Sequence, residues 1–177
     1  MSTYSAAQMA SSFRTVRGNT VQIAEDIPED KYDFVAATGT QSVGALLKHI
    51  AFAPKLYEDM HRTHRVTTLK GYDFPGEVGK IKVEEDKPRS KAEIVALLKS
   101  EGERFAAWLE SCSPEFLAET YTDPSGQHSN SRMVSLMSPK EHEMHHRGQL
   151  MLIERILGIV PHLTRQRMER VAQHAKS

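Results

Sequence analysis

The sequence contains one cysteine, Cys112, among its 177 residues. A single cysteine excludes both an internal disulfide framework and a metal cluster held by several thiolates within this sequence. An excess of either charge is also missing, because Lys plus Arg and Asp plus Glu both total 23. A balanced sequence offers no basic surface for nucleic acid or for an anionic membrane. We therefore expect neither nucleic acid nor a membrane as a partner.

Long apolar runs are absent as well. No stretch approaches the roughly 18 consecutive apolar residues that a membrane-spanning helix needs. Residues 1–10 lack the basic start and apolar core of a signal peptide. These features predict a cytoplasmic protein. A sequence of 177 residues suffices for one domain with a buried core, and we predict a single domain over residues 1–177.

Helical periodicity dominates what is present. Apolar residues recur at alternating steps of three and four after Ser or Thr capping signals. This pattern predicts four long helices over residues 5–25, 40–60, 90–113 and 138–157, and a shorter terminal helix over residues 164–173. We therefore predict an all-α fold, a four-helix bundle with a short C-terminal helix.

Two connections are less regular. Residues 63–89 are polar and contain several glycines and prolines, which predicts a long connection with short extended pieces such as residues 80–83. Residues 121–130 have the composition of a loop. Pro54 lies inside the second predicted helix and cannot donate a backbone hydrogen bond, so we expect a kink there.

The most informative residues are histidines. His142 and His146 are four apart, so both can direct a ring nitrogen from one helix face at a single ion. Ser138 followed by Pro139 is the clearest helix start in the sequence, which places His142 in the second turn of its helix. His49 lies beside the apolar stripe of the second helix and offers a third nitrogen. Together these histidines predict a metal site.

Each histidine also has an ordinary structural explanation. Taken separately, His142 and His146 could be a partly exposed pair bonded to backbone or water, and His49 could be a satisfied core histidine. Taken together they favour the metal site instead, because His49 adds a third nitrogen and the start at Ser138 places His142 in the second turn of its helix. The remaining histidines that we expect at the solvated surface are His61, His64, His145, His162 and His174.

Three segments resemble the DinB family of YfiT-like metal-binding four-helix bundles. The segments are residues 27–30 (IPED), 42–50 (SVGALLKHI) and 141–150 (EHEMHHRGQL), of which the last is the most specific. The resemblance implies an up-down-down-up bundle with a long connection between its second and third helices. It also implies a zinc or nickel ion bound by His49, His142 and His146, solvent at the other coordination positions, and often a homodimer.

The resemblance leaves the reaction open. Characterised relatives include transferases that use low-molecular-weight thiols such as bacillithiol or glutathione, and a mycothiol-dependent isomerase. We therefore predict an enzyme that transfers such a thiol to a small electrophile, or one that hydrolyses a small substrate. Glu143, His145 and Gln149 are close enough in sequence to orient the metal ligands or to move protons. The alternative is a non-catalytic, stress-related module for metal binding or dimerisation.

Residues 142–146 also match the H-E-x-x-H pattern of zinc proteases, with Glu143 in the place of the general base. The extended pattern needs a glycine three residues after the second histidine, where this sequence has Gln149. The sequence also shows no convincing strand at whose edge a peptide could bind. The protease interpretation is therefore disfavoured.

Overall fold

The computed structural model describes residues 4–175, and four long helical segments form its bundle. These segments are α1 (Ala6–Asp26), the interrupted helix α2 (Val43–Phe52) and α3 (Pro54–Glu58), α5 (Lys91–Ser111) and α7 (Arg132–Ile156). The shorter elements are α4 (Phe74–Glu85), α6 (Pro114–Ala118), β1 (Thr120–Thr122), β2 (Ser129–Ser131) and α8 (His162–His174). A 3-10 turn, Glu29–Lys31, follows α1, and a π-helical turn, Asp59–Thr63, follows α3. None of the helices within residues 4–175 has both the length and the apolar character needed to cross a membrane.

The contacts between helices establish the directions of the long segments. Two pairs join α1 and α5, namely Arg14 with Glu110 and Glu25 with Lys99. Two more join the second segment and the π-helical turn after it to α7, namely His49 with His142 and His61 with Ser135. Both sets are antiparallel. The first halves of α1 and α7 share one apolar cluster and their second halves share another, so these two helices are parallel. The predicted up-down-down-up bundle is therefore confirmed.

Capping motifs explain where the long helices begin. Ser5 with Gln8 forms a complete capping box before α1, and Ser90 with Glu93 forms another before α5. The interruption after α2 lies at Ala53, immediately before Pro54, where the backbone angles stay helical. The proline therefore disturbs the second segment without ending it, as the sequence predicts.

The connection between α3 and α5 differs from the prediction. Residues 80–83, which we expected to be extended, belong to helix α4. Asp73 caps this helix by accepting a hydrogen bond from the backbone N–H of Gly76, and Pro75 lies in its first turn, where no backbone donor is lost. Glycine and proline therefore mark the start of a helix here, and do not indicate irregular structure.

Helix α7 also begins earlier in the sequence than predicted, at Arg132 and not at Ser138. Ser131 caps the helix, and Pro139 lies inside it. Arg132 explains the earlier start, because its buried guanidinium binds Glu119 through Nε and approaches His61 through Nη1. These contacts hold the turns before Pro139 in the helix, although the local sequence at Ser138 resembles a start.

Two further expectations were wrong. The predicted loop over residues 121–130 contains most of a two-stranded antiparallel hairpin, in which Thr120 pairs with Ser131. Its strands are too short to show an alternating pattern in the sequence. His61 and His162, expected at the surface, are buried. Burial lowers the pKa of His61 to about 4, so its ring is a neutral part of the core.

Candidate metal centre

His49 on α2 and His142 and His146 on α7 meet at one point between the two helices. Nε2 of His142 lies 3.2 Å from Nε2 of His49 and 3.0 Å from Nε2 of His146. The candidate donor atoms of all three residues lie within 4.8 Å of one another. Two nitrogens bound to one tetrahedral zinc ion at roughly 2.0–2.1 Å would lie about 3.3 Å apart. The spacing therefore fits one ion, and the structure brings together the three residues that the sequence singled out.

The positions of these residues along their helices explain why the three rings face one another. His142 and His146 are one turn apart on the same face of α7, and their ring centroids lie 4.4 Å apart. His49 is partly buried, and its neighbour Ile50 is fully packed into the core. The ring of His49 approaches both α7 rings edge to face, with centroid distances of 5.0 and 5.1 Å.

The outer nitrogens of two rings are held by acceptors. Nδ1 of His49 lies 2.9 Å from Oε1 of Glu85, and Nδ1 of His146 lies 2.8 Å from Oε1 of Gln149. An oxygen acceptor at Nδ1 favours the tautomer that carries its proton there, which leaves the Nε2 lone pair free. Both rings are therefore oriented for coordination through Nε2.

The protonation state also suits a metal. Burial, together with charge repulsion from the nearby rings of His146 and His49, lowers the pKa of His142 to about 4. Burial lowers the pKa of His146 as well. Metal binding needs neutral imidazole. Nitrogen lone pairs directed at one another repel, and a cation between them would replace that repulsion with attraction.

A cavity of about 370 Å³ opens beside the imidazoles. It lies between α3 and α4 and is bounded at one end by His49 and His142. The other residues that line it are Gln41, Ala53, Leu56, Tyr57, Val78, Ile81, Lys82 and Glu85. The candidate metal site is therefore open to a small molecule on this side.

Glu85 is the site residue that sequence reasoning missed. It is the last residue of α4, in a stretch predicted to be a connection. Val78, Ile81, Lys82 and Glu85 follow one another at steps of three, one and three, so they lie on one face of a helix. This spacing, together with the Asp73 cap, is the signal that could have located Glu85.

The three other predicted site residues have different surroundings. Gln149 contacts His146, and its Nε2 lies 3.3 Å from Nε2 of the exposed His145. Glu143 is buried, and both of its carboxylate oxygens accept hydrogen bonds from Nε of Arg17, at 2.9 and 3.1 Å. Glu143 therefore faces the core, away from the position that the general base of a zinc protease would need.

Comparison with known proteins shows the family of this chain. The profile of the DinB family matches residues 1–175. The chain belongs to the DinB family. Among its relatives, the uncharacterized protein YjoA of Bacillus subtilis is 27% identical over 153 residues, covering 85% of this chain and 90% of YjoA.

Two solved DinB-like structures share the fold. The crystal structure of YjoA superposes with a TM-score of 0.62 at 23% identity, covering 85% of this chain and 92% of that one. The structure of YfiT from Bacillus subtilis superposes with a TM-score of 0.64 at 16% identity, covering 90% of this chain and 91% of that one. YfiT is described as a probable metal-dependent hydrolase with an unusual four-helix bundle topology.

Proposed function

We propose that this DinB-family protein is a metal-dependent enzyme that hydrolyses a small molecule. The observation that carries the proposal is the convergence of three imidazole Nε2 atoms at the edge of a cavity. The description of YfiT as a metal-dependent hydrolase supports the same class of reaction. We propose His49, His142 and His146 as the ligands.

The donor set suits zinc or nickel, because imidazole nitrogen is a good ligand for both ions. When bound, such an ion lowers the pKa of a coordinated water to about 7, or holds a thiol as thiolate, and so supplies a nucleophile near neutral pH. Structural zinc sites are usually closed by four protein ligands. Three histidines beside an open cavity favour a site that also admits substrate.

Side chains around the proposed site orient the ligands or contact the substrate. Glu85 and Gln149 hold the rings of His49 and His146 in the orientation that directs Nε2 inward. Tyr57 lines the cavity, and burial raises the pKa of its hydroxyl. The hydroxyl, which also forms a hydrogen bond with the side chain of Ser138, stays protonated at neutral pH and can therefore donate to an oxygen of the substrate.

The second candidate is transfer of a low-molecular-weight thiol to a small electrophile, which the family resemblance implies. The mostly apolar walls of the cavity suit an uncharged electrophile, and the same three imidazoles suit a thiolate ligand.

We also propose a homodimer, for which the exposed Leu152 and Ile156 on α7 offer apolar surface.

One assay series separates these candidates. Zinc-loaded and nickel-loaded protein is incubated with small esters and amides, and separately with small electrophiles plus glutathione or bacillithiol. We expect hydrolysis without added thiol and its loss in His142→Ala. Turnover only with thiol would favour the transferase. Stoichiometric metal without turnover in either series would favour the non-catalytic alternative, a stress-related module for metal binding or dimerisation.

A further inference from the structure

The cavity beside the imidazoles has one polar end and one apolar end. We infer that it selects substrates that carry a compact apolar group, such as a phenyl ring or a short branched acyl chain, next to the reacting bond. The inference rests on the proposed function and specifies the substrate class of the same site. The imidazoles of His49 and His142 form the polar end, and aliphatic side chains of α3 and α4 form the other.

The apolar walls come from two helices that face each other. Leu56 of α3 lies on one side, and Val78 and Ile81 of α4 lie on the other. Val78 is 50% exposed, so part of its side chain is open to solvent at this wall. An apolar group placed between these walls would remove aliphatic surface from water, which is the main favourable term in small-molecule binding.

The position of α4 limits the size of that group. Glu85 contacts His49, and this contact fixes the end of α4 beside the imidazoles. Ile81 and Val78 precede Glu85 by four and seven residues, or about 6 and 10 Å along the helix axis. The volume of about 370 Å³ is also near the lower end of the range for ligand sites. The apolar group must therefore be short and close to the reacting bond.

The charged side chains that line the cavity are already paired with other residues. Among the described residues that line it, Lys82 and Glu85 carry full charges. Nζ of Lys82 lies 2.6 Å from Oδ1 of Asp86 and 3.9 Å from Oε2 of Glu85, and Oε1 of Glu85 contacts His49. Both charges are thus already compensated. A substrate phosphate or carboxylate would have to compete with Asp86 for Lys82, whereas an uncharged apolar group would not.

Binding of metal-chelating hydroxamates to the zinc-loaded protein tests the inference without relying on turnover. Acetohydroxamate and benzohydroxamate share the chelating group and differ in the apolar one. We expect benzohydroxamate to bind the wild type at least about tenfold more tightly in calorimetry, because only it fills the space between the walls. Ile81→Ser should weaken benzohydroxamate about fivefold and change acetohydroxamate less than about twofold.

Val83→Ser is the matched control. Val83 lies on the opposite, solvent-facing side of α4 and is 65% exposed, so its removal should leave both affinities unchanged. Circular dichroism establishes that the variants remain folded. Equal affinities of the two hydroxamates for wild type, or an equal loss of both in Ile81→Ser, would overturn the inference while leaving the metal site intact. Failure of the wild type to retain zinc in metal analysis would instead overturn the proposed function, and the inference with it.

Discussion

Gly102 of α5 faces Arg17 of α1 so closely that a Cβ atom at position 102 would lie 2.6 Å from Cγ of Arg17. The missing side chain makes room for a buried guanidinium that reaches every other long segment of the bundle. It donates to the carbonyl oxygens of Leu98 at 2.9 Å and Ile50 at 3.0 Å, and to the carboxylate of Glu143 on α7. Arg17 therefore joins the four segments at the level between the two apolar clusters.

Gly102→Ala should destabilise the protein despite the higher helix propensity of alanine. The added methyl group would displace the Arg17 side chain and weaken its hydrogen bonds, and we expect the free energy of unfolding to fall by roughly 1–3 kcal/mol. Urea denaturation measures the change. Gly18→Ala is the control, because Gly18 is exposed in α1 and a Cβ added there would have no atom within 4 Å apart from its chain neighbours and the backbone of its own helix. It should instead gain about 0.5–1 kcal/mol. A neutral or stabilising Gly102→Ala would contradict this close packing of Gly102 against Arg17.

Glu143→Gln should lower the stability of the protein and leave metal binding unchanged, although Glu143 follows a candidate metal ligand in the sequence. The change leaves the Arg17 charge buried without its carboxylate partner, at a cost of roughly 3–5 kcal/mol in the free energy of unfolding. Zinc content of the folded fraction should not change. Combining Arg17→Met with Glu143→Leu should recover part of the loss, because no unpaired charge remains. Unchanged stability together with abolished peptide hydrolysis would instead point to a zinc protease.

Metal content should depend on each of the three convergent imidazoles. We expect near-stoichiometric zinc or nickel in the purified, metal-loaded wild type and its loss in His49→Ala, His142→Ala and His146→Ala, because two imidazoles alone hold an ion weakly. Inductively coupled plasma mass spectrometry provides the measurement. His145→Ala is the matched control on the same helix, and it should retain the ion. Retention of full metal content in any of the three single variants would show that the ligand set is different.

Glu85→Gln should weaken metal binding without removing it. A carboxylate at Nδ1 raises the basicity of a ligating imidazole and fixes its orientation, and loss of such a partner typically costs about 10–100-fold in metal affinity. Competition with a chromogenic chelator measures the affinity. Glu84→Gln changes the neighbouring residue, whose carboxylate binds Lys87, and should have little effect. Equal affinities in wild type and Glu85→Gln would mean that Glu85 only packs α4 against α2.

The main features of fold and site could be predicted because they depend on local spacing. The capping boxes at Ser5 and Ser90 locate two long helices, and the spacing of His142 and His146 depends only on helix geometry. The sequence offers His49 as the third nitrogen, and the family resemblance supports its position beside the other two, because no local rule brings α2 against α7. Local spacing and the resemblance together therefore suffice to identify the three imidazoles.

The missed features depend on contacts between distant residues. The early start of α7 requires Arg132 to meet Glu119 and His61, which the sequence does not indicate. The role of Glu143 likewise depends on Arg17, which lies more than a hundred positions earlier. The H-E-x-x-H pattern assigns this glutamate to the metal, whereas the direction of its side chain on α7 assigns it to Arg17.

The buried carboxyl group of Glu154 should make the stability of the protein depend on pH. It is fully buried on α7, and neither of its carboxylate oxygens has a hydrogen-bond partner among the described residues. Burial, helped by the charge of Asp26 and opposed more weakly by Arg165 and Arg155, raises the pKa of Glu154 to about 7. The native state therefore keeps a proton that the unfolded chain releases above its ordinary pKa of 4.5.

The sign of the effect follows from that difference in proton binding. The contribution of Glu154 to stability is complete below about pH 4.5 and is lost as the pH rises through about 7. Glu154→Gln removes the titrating proton and keeps the shape, so its advantage over wild type in the free energy of unfolding should grow between pH 5 and 8 to roughly 1–3 kcal/mol. Urea denaturation at a series of pH values measures it. Glu169→Gln on α8, where the side chain is exposed, should show no such trend. A constant difference between Glu154→Gln and wild type across this range would mean that Glu154 is already ionised in the native state.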